Sequence, residues 1–115
     1  MKIWHYRKKQ QKIPVLQVSD VLVVIPAFNE AKSIGQVVDQ VNMFGFQVLV
    51  VNDGSIDATA SAARDRGAHV VSLPLNSGVG GALRCGFRYA IENGFTAVIQ
   101  CDAIFINKIY GDMCL

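Results

Sequence analysis

The chain repeats one pattern: a short apolar run, a polar or glycine-containing stop, and then a helical spacing of apolar residues. Residues 21–25 (VLVVI) are continuous, mostly β-branched and ended by Pro26, as in a strand covered on both faces. Ala27, Phe28, Asn29 and Glu30 form the turn. Ile34, Val37, Val38 and Val41 follow at i, i+3, i+4 and i+7, the apolar stripe of a helix that Gly45 ends. Residues 48–51 (VLVV) read as a second buried strand, stopped by Asn52, Asp53, Gly54 and Ser55. A helix is expected over 57–66, with a narrow face of Ala58, Ala62 and Ala63 and an end at Gly67. Residues 69–73 make a third strand and 74–78 a loop. The longest helix then places Val79, Ala82, Leu83, Gly86, Phe87, Ala90 and Ile91 on one face and closes at Asn93 and Gly94. Residues 95–101 form a fourth strand that reaches Asp102.

Four strands alternating with three helices through short connections imply parallel strands joined by right-handed crossovers. The expected fold class is therefore α/β, a three-layer Rossmann-like parallel sheet of order 3-2-1-4 with flanking helices. That order puts a switch point between the first and fourth strands, where ligands bind beyond the carboxyl ends of strands. Residues 26–30, residues 52–55 and Asp102 then meet along one edge, around a single crevice. Gly54 can take a positive φ there, and Asp57 can cap the next helix. The plainer alternative is that Asn52 to Ser55 is only a polar turn.

At 115 residues, with 51% hydrophobic and 17% charged residues and a mean hydropathy of +0.31, the chain fits one domain with a heavily buried sheet. The runs VLVVI and VLVV are too short to span a bilayer. The net charge of +2 hides an asymmetry. Lys2, Arg7, Lys8, Lys9 and Lys12 precede the first acid, Asp20, and the remainder is net negative. Residues 1–19 are expected to be a basic, solvated and mobile arm, with attraction to an anionic membrane surface as the lesser reading. No apolar segment of signal type follows the charges, so a cytoplasmic location is expected. No aromatic residues interleave with a basic face in the folded part, which argues against nucleic acid as a partner. Cys85, Cys101 and Cys114 are odd in number and lack CxxC spacing, which argues against both a disulfide framework and zinc. His5 and His69 belong to no catalytic motif.

The segments VVIPAFNEAKSI, VLVVNDGSIDAT and LNSGVGGALRCGF, and the strand ending in Asp102, occur in an order and spacing that carry a resemblance. Over about residues 21–103 the chain resembles the nucleotide-sugar-binding half of a glycosyltransferase family 2 enzyme of GT-A fold. In style it is similar to dolichyl- or polyprenyl-phosphate sugar synthases. The resemblance implies a UDP- or GDP-sugar as partner, with Pro26, Glu30 and Asp53 lining the pocket for its base and ribose. Carboxylates suit that work because they accept strong, directional hydrogen bonds from N–H and hydroxyl groups. Glu30 also fits a local role as a charge at a helix start. Asn52 stands where the family has its first acid.

The resemblance further implies that Asn76, Gly78, Gly80, Gly81 and Arg84 form the glycine-rich turn and helix start beside the diphosphate. For Arg84 a solvated helix position is the alternative. The segment is neither a GxGxxG turn after a strand nor a P-loop with its lysine, which excludes ATPase and dinucleotide readings on motif. Asp102 would begin the family's D-x-D motif and hold Mg²⁺ or Mn²⁺, but Ile104 stands where the second acid belongs. Metal affinity is therefore expected to be weak, and Asp112 is too far along the chain to substitute.

The resemblance ends after Ala103, so residues 20–103 are read as a partial nucleotide-sugar-binding domain and 104–115 as an atypical tail, as if truncated. A fourth strand left at an open edge would be an aggregation hazard. Two readings stay open. One is a glycosyltransferase-type domain that binds a nucleotide-sugar for transfer to an acceptor such as polyprenyl phosphate, with peripheral membrane contact through that lipid or the basic arm. The other is an inactive remnant or a noncatalytic nucleotide-binding module.

Overall fold

The computed structural model describes residues 2–5 and 17–103. The strands are β1 (Lys2–His5), β2 (Val21–Ala27), β3 (Gln47–Asp53), β4 (His69–Leu73) and β5 (Ala97–Gln100), and the helices are α1 (Ile34–Met43), α2 (Thr59–Asp65) and α3 (Gly78–Glu92). They form one sheet in the order β1-β5-β2-β3-β4. The parallel strands run β5-β2-β3-β4, the neighbours expected from the alternating pattern, and β1 adds an antiparallel edge.

That edge corrects one expectation. Lys2–His5 is not part of a free arm: it pairs with β5 from Lys2 opposite Gln100 to His5 opposite Ala97. β5 therefore lies inside the sheet, and the open edge expected of it is covered. Trp4 fastens the added strand by an edge-to-face contact with Phe87 of α3, ring centroids 4.9 Å apart. Residues 6–16 and 104–115 lie outside the described residues, and with them the remainder of the arm and the tail.

Helices cover both faces. Val23, Ile25, Val48 and Val50 pack against Ile34, Val37, Val38 and Val41 of α1 and Ala63 of α2, while Leu22, Val24, Leu49 and Val51 pack against Ala82 and Ala90 of α3. Alternate side chains of one strand serve opposite layers, which is why the runs are continuously apolar. On α3 only Ala82, Gly86 and Ala90 are buried, whereas Val79 and Ile91, expected on the covered face, are exposed. A Cβ on Gly86 would lie 2.6 Å from Val24 Cγ1, so this stripe of small residues brings the helix down on the sheet and turns its larger residues outward.

Two strands run past their expected ends, and both extensions shape the carboxyl edge. β2 continues through Pro26, paired with Val51, to Ala27. Val24 O accepts the Cys101 N–H at 3.0 Å, so the next rung toward β5 would need an N–H that Pro26 lacks. The β2·β5 pairing ends at Val24 and Gln100, opening the sheet at the switch point. β3 extends through Asn52 to Asp53, which makes both polar residues part of the strand rather than of the turn.

Candidate functional site

Hydrogen bonds between side chains and backbone tie the loops beyond β2 and β3 together. Asn29, the one non-glycine residue of positive φ among those described, accepts the Ile56 N–H through Oδ1 at 3.0 Å, and its own N–H reaches Ser55 Oγ at 2.9 Å. The Glu30 N–H donates to Thr59 Oγ1 at 2.9 Å, and the Ala31 N–H to Asp57 Oδ2 at 3.2 Å. Asp57 also accepts the Thr59 N–H and hydroxyl on Oδ1, so it organises the start of α2 from two residues ahead of it. The Thr59 hydroxyl bond, outweighing partial desolvation, holds the Asp57 carboxyl below its ordinary range.

Asn52 and Asp53 are buried side by side at the end of β3, and they serve opposite faces. Asn52 Nδ2 donates to Ser72 Oγ of β4 at 3.2 Å, and its Oδ1 accepts the Ser55 N–H at 3.2 Å. An amide therefore fills this position by joining strand to turn. Asp53, only 4% exposed, takes both the N–H of Ser77 (2.7 Å) and its hydroxyl (2.8 Å) on Oδ1. Its Oδ2 accepts no hydrogen bond from the described residues. Gly54 makes this possible: at φ +78° its missing Cβ leaves room for Asn76 N, which would otherwise be 2.7 Å away.

The remaining candidates lie around the same edge. Pro26 is half-buried one residue before the end of β2, beside the interrupted ladder. Glu30 is half-buried in the following loop; its Oε2 accepts from Ser33 Oγ at 3.3 Å and its carbonyl from the Ile34 N–H, so the local role at the start of α1 is present. Asn76 is exposed and folds onto Gly78 N through Oδ1 at 3.0 Å. Gly80 and Arg84 are exposed on the first turns of α3. Asp102 is exposed between buried Cys101 and Ala103, two residues beyond Gln100, where β5 and its pairing with Val24 end. Residues from β2, β3, α3 and β5 thus share one edge of the sheet.

The family assignment rests on more than these positions. Residues 22–107 match the model of glycosyl transferase family 2. The chain belongs to that family. It is 37% identical over 92 residues to undecaprenyl-phosphate mannosyltransferase of Micrococcus luteus, covering 72% of this chain and 37% of that protein. It is 32% identical over 90 residues to polyprenol monophosphomannose synthase of Mycolicibacterium smegmatis, covering 71% and 34%. A crystal structure of glucosyl-3-phosphoglycerate synthase from M. tuberculosis superposes with a TM-score of 0.55 at 28% identity, covering 72% of this chain and 33% of that one. The same enzyme in complex with Mn²⁺, UDP and glucosyl-3-phosphoglycerate gives a TM-score of 0.58 at 24% identity over 82% and 40%, a likeness of fold. The chain therefore spans between about a third and two fifths of the length of these relatives.

No group of three or more His, Cys, Asp or Glu residues is placed to hold a metal among the described residues. Asp102 has Ile104 two residues on, so an Mg²⁺ or Mn²⁺ ion at this edge would take its other oxygen ligands from a bound phosphate, from water or from groups elsewhere. Burial pushes the Cys101 thiol up to about 11 and raises that of half-buried Cys85, as in packing residues rather than nucleophiles. No described helix is long and apolar enough to cross a membrane.

Spacing placed Asn29 and Ser55 at this edge without their bonds and passed over Thr59 and Ser77, and these four hold the loops in register. Small hydroxyl and amide residues clustered after each strand were their signal, and the pairings cross 24 to 29 positions of sequence.

Proposed function

We propose that the crevice at the carboxyl edge binds the nucleoside diphosphate of a UDP- or GDP-sugar, the chain being the donor-binding part of a glycosyltransferase. The observation that carries this reading is Asp53: a carboxylate only 4% exposed, anchored through one oxygen and unpaired at the other, beside a sheet edge that Pro26 opens. Its second oxygen keeps access to the crevice, where it can accept an N–H or hydroxyl of a polar ligand. Asp53, Glu30 and Pro26 would receive the base and ribose. Asn76, Gly80 and Arg84 would lie along the diphosphate, where the free N–H groups at the start of α3 and the guanidinium offset negative charge. The binding unit is 20–103, with Lys2–His5 joined to its sheet.

In such a transfer the bond between the anomeric carbon and the diphosphate oxygen breaks, and a bond to an acceptor oxygen forms. The named relatives that act on undecaprenyl phosphate and polyprenol favour a polyprenyl phosphate as acceptor, and with it peripheral contact at the cytoplasmic face of a membrane. Ile104 at the second D-x-D position favours a second reading, a module that binds the nucleotide without transferring the sugar. Titration calorimetry of the whole chain with UDP, GDP and dTDP, with and without Mn²⁺, tests the binding claim. Heat from one nucleotide that disappears in Asp53→Ala is the expected result. Silence with every nucleotide overturns the claim, and release of sugar from a bound UDP- or GDP-sugar in the presence of acceptor would reject the second reading.

A further inference from the structure

Ser77 occupies the N-cap position of a 15-residue helix, where a serine hydroxyl ordinarily accepts an N–H of the first turn. Here it makes no such bond. Its N–H and its hydroxyl both donate to Asp53 Oδ1, at 2.7 and 2.8 Å, across 24 positions of sequence. The Gly78 carbonyl lies 3.5 Å from the same hydroxyl, too far to compete. Gly81, one turn on, is shaped to this arrangement: a Cβ there would stand 2.5 Å from Ser77 Oγ and 2.6 Å from Ser77 Cβ. The terminal torsion of an aspartate is normally broad and two-fold, and two donors on one oxygen pin it.

We propose that Ser77 is a positioning residue that fixes Asp53 through Oδ1 so that Oδ2 meets an N–H or hydroxyl of the nucleoside, and that Gly81 is small to leave the serine room. The inference rests on the nucleotide reading above and adds to it the device that aims the carboxylate. Ser77 touches Asp53 rather than the ligand. Ser77 acts on affinity by aiming the carboxylate, beyond what its bonds to Asp53 add to the fold.

The test compares the whole chain with Ser77→Ala, Gly81→Ala and Gly86→Ala, measuring affinity for UDP and for GDP by calorimetry and the thermal midpoint by circular dichroism. Ser77→Ala and Gly81→Ala are each expected to weaken binding of the accepted nucleotide about tenfold, the scale of a hydrogen bond to a charged group. Gly86→Ala, which strains the same helix away from the carboxyl edge, is the control: it should lower the thermal midpoint and leave nucleotide affinity unchanged. That split between affinity and stability is one that a purely structural role does not produce. If the parent chain takes up neither UDP nor GDP, the nucleotide reading itself falls, and this inference with it. If the parent binds and Ser77→Ala and Gly81→Ala bind equally well, or if Gly86→Ala loses affinity as they do, the positioning role alone is overturned.

Discussion

Gly54→Ala probes the contact on which the site depends, because Gly54 faces the backbone of the loop that carries Ser77. An added Cβ would sit 2.7 Å from Asn76 N and 2.9 Å from Leu75 C, and backbone cannot turn aside as a side chain can. Three effects follow. Holding alanine at φ +78° costs on the order of 1–2 kcal/mol. Displacing the loop strains the turn, and it also pulls Ser77 from Asp53, removing hydrogen bonds to a charged group worth roughly 1.5–3 kcal/mol. The total is about 3–4 kcal/mol, a large share of the roughly 5–15 kcal/mol that stabilises a domain. Gly67→Ala is the matched control: its φ is +87°, but no atom lies within 4 Å of the added Cβ. It carries the backbone cost and the same change in the unfolded chain, without the loop contact. Urea unfolding of both variants, with unchanged m-values, gives the difference directly. Gly54→Ala should be the more destabilising by about 2 kcal/mol. Equal midpoints would refute the packing of the 75–76 backbone on Gly54.

Two other perturbations address the core and the loop hinge. Gly86→Ala drives a Cβ against Val24 and should lower stability by about 1–3 kcal/mol despite the better helix propensity of alanine, so a rise in thermal midpoint would contradict the close approach of α3. The Thr59 hydroxyl bond holds the Asp57 carboxyl below the ordinary aspartate range, so its contribution is complete above that range and lost as pH falls through the lowered folded value. Asp57→Ala should therefore flatten the acid limb of a stability profile below about pH 4, and an unchanged limb would remove Asp57 from the account.

What could be read from the chain was what short-range chemistry encodes. β-branched runs announced the parallel strands, and Asn52, Asp53 and Asp102 announced where they stop. The strand Lys2–His5 was hidden because four residues with a lysine and a histidine at their ends carry no periodicity; pairing with β5 and Trp4 on Phe87 make it a strand. The face of α3 was overestimated because hydrophobicity does not report distance. The narrow stripe of Ala82, Gly86 and Ala90 comes down on the sheet, Leu83 and Phe87 flank it half-buried, and Val79 and Ile91 are left outside. Within the site, the carboxyl-edge position of Asp53 was legible. Its bond to Ser77 was not, because that partner is tertiary and a serine ahead of a helix reads as an ordinary cap.

The most direct test of the central claim is an amide chemical-shift map of the ¹⁵N-labelled chain titrated with UDP and with GDP. One nucleotide should shift the signals of Asp53, Ser55, Ser77, Gly78 and Gly80, at the carboxyl edge, while Met43, Phe44 and Gly45 at the opposite end of the sheet stay still. No shifts with either nucleotide, or shifts centred on that opposite end, would contradict the account.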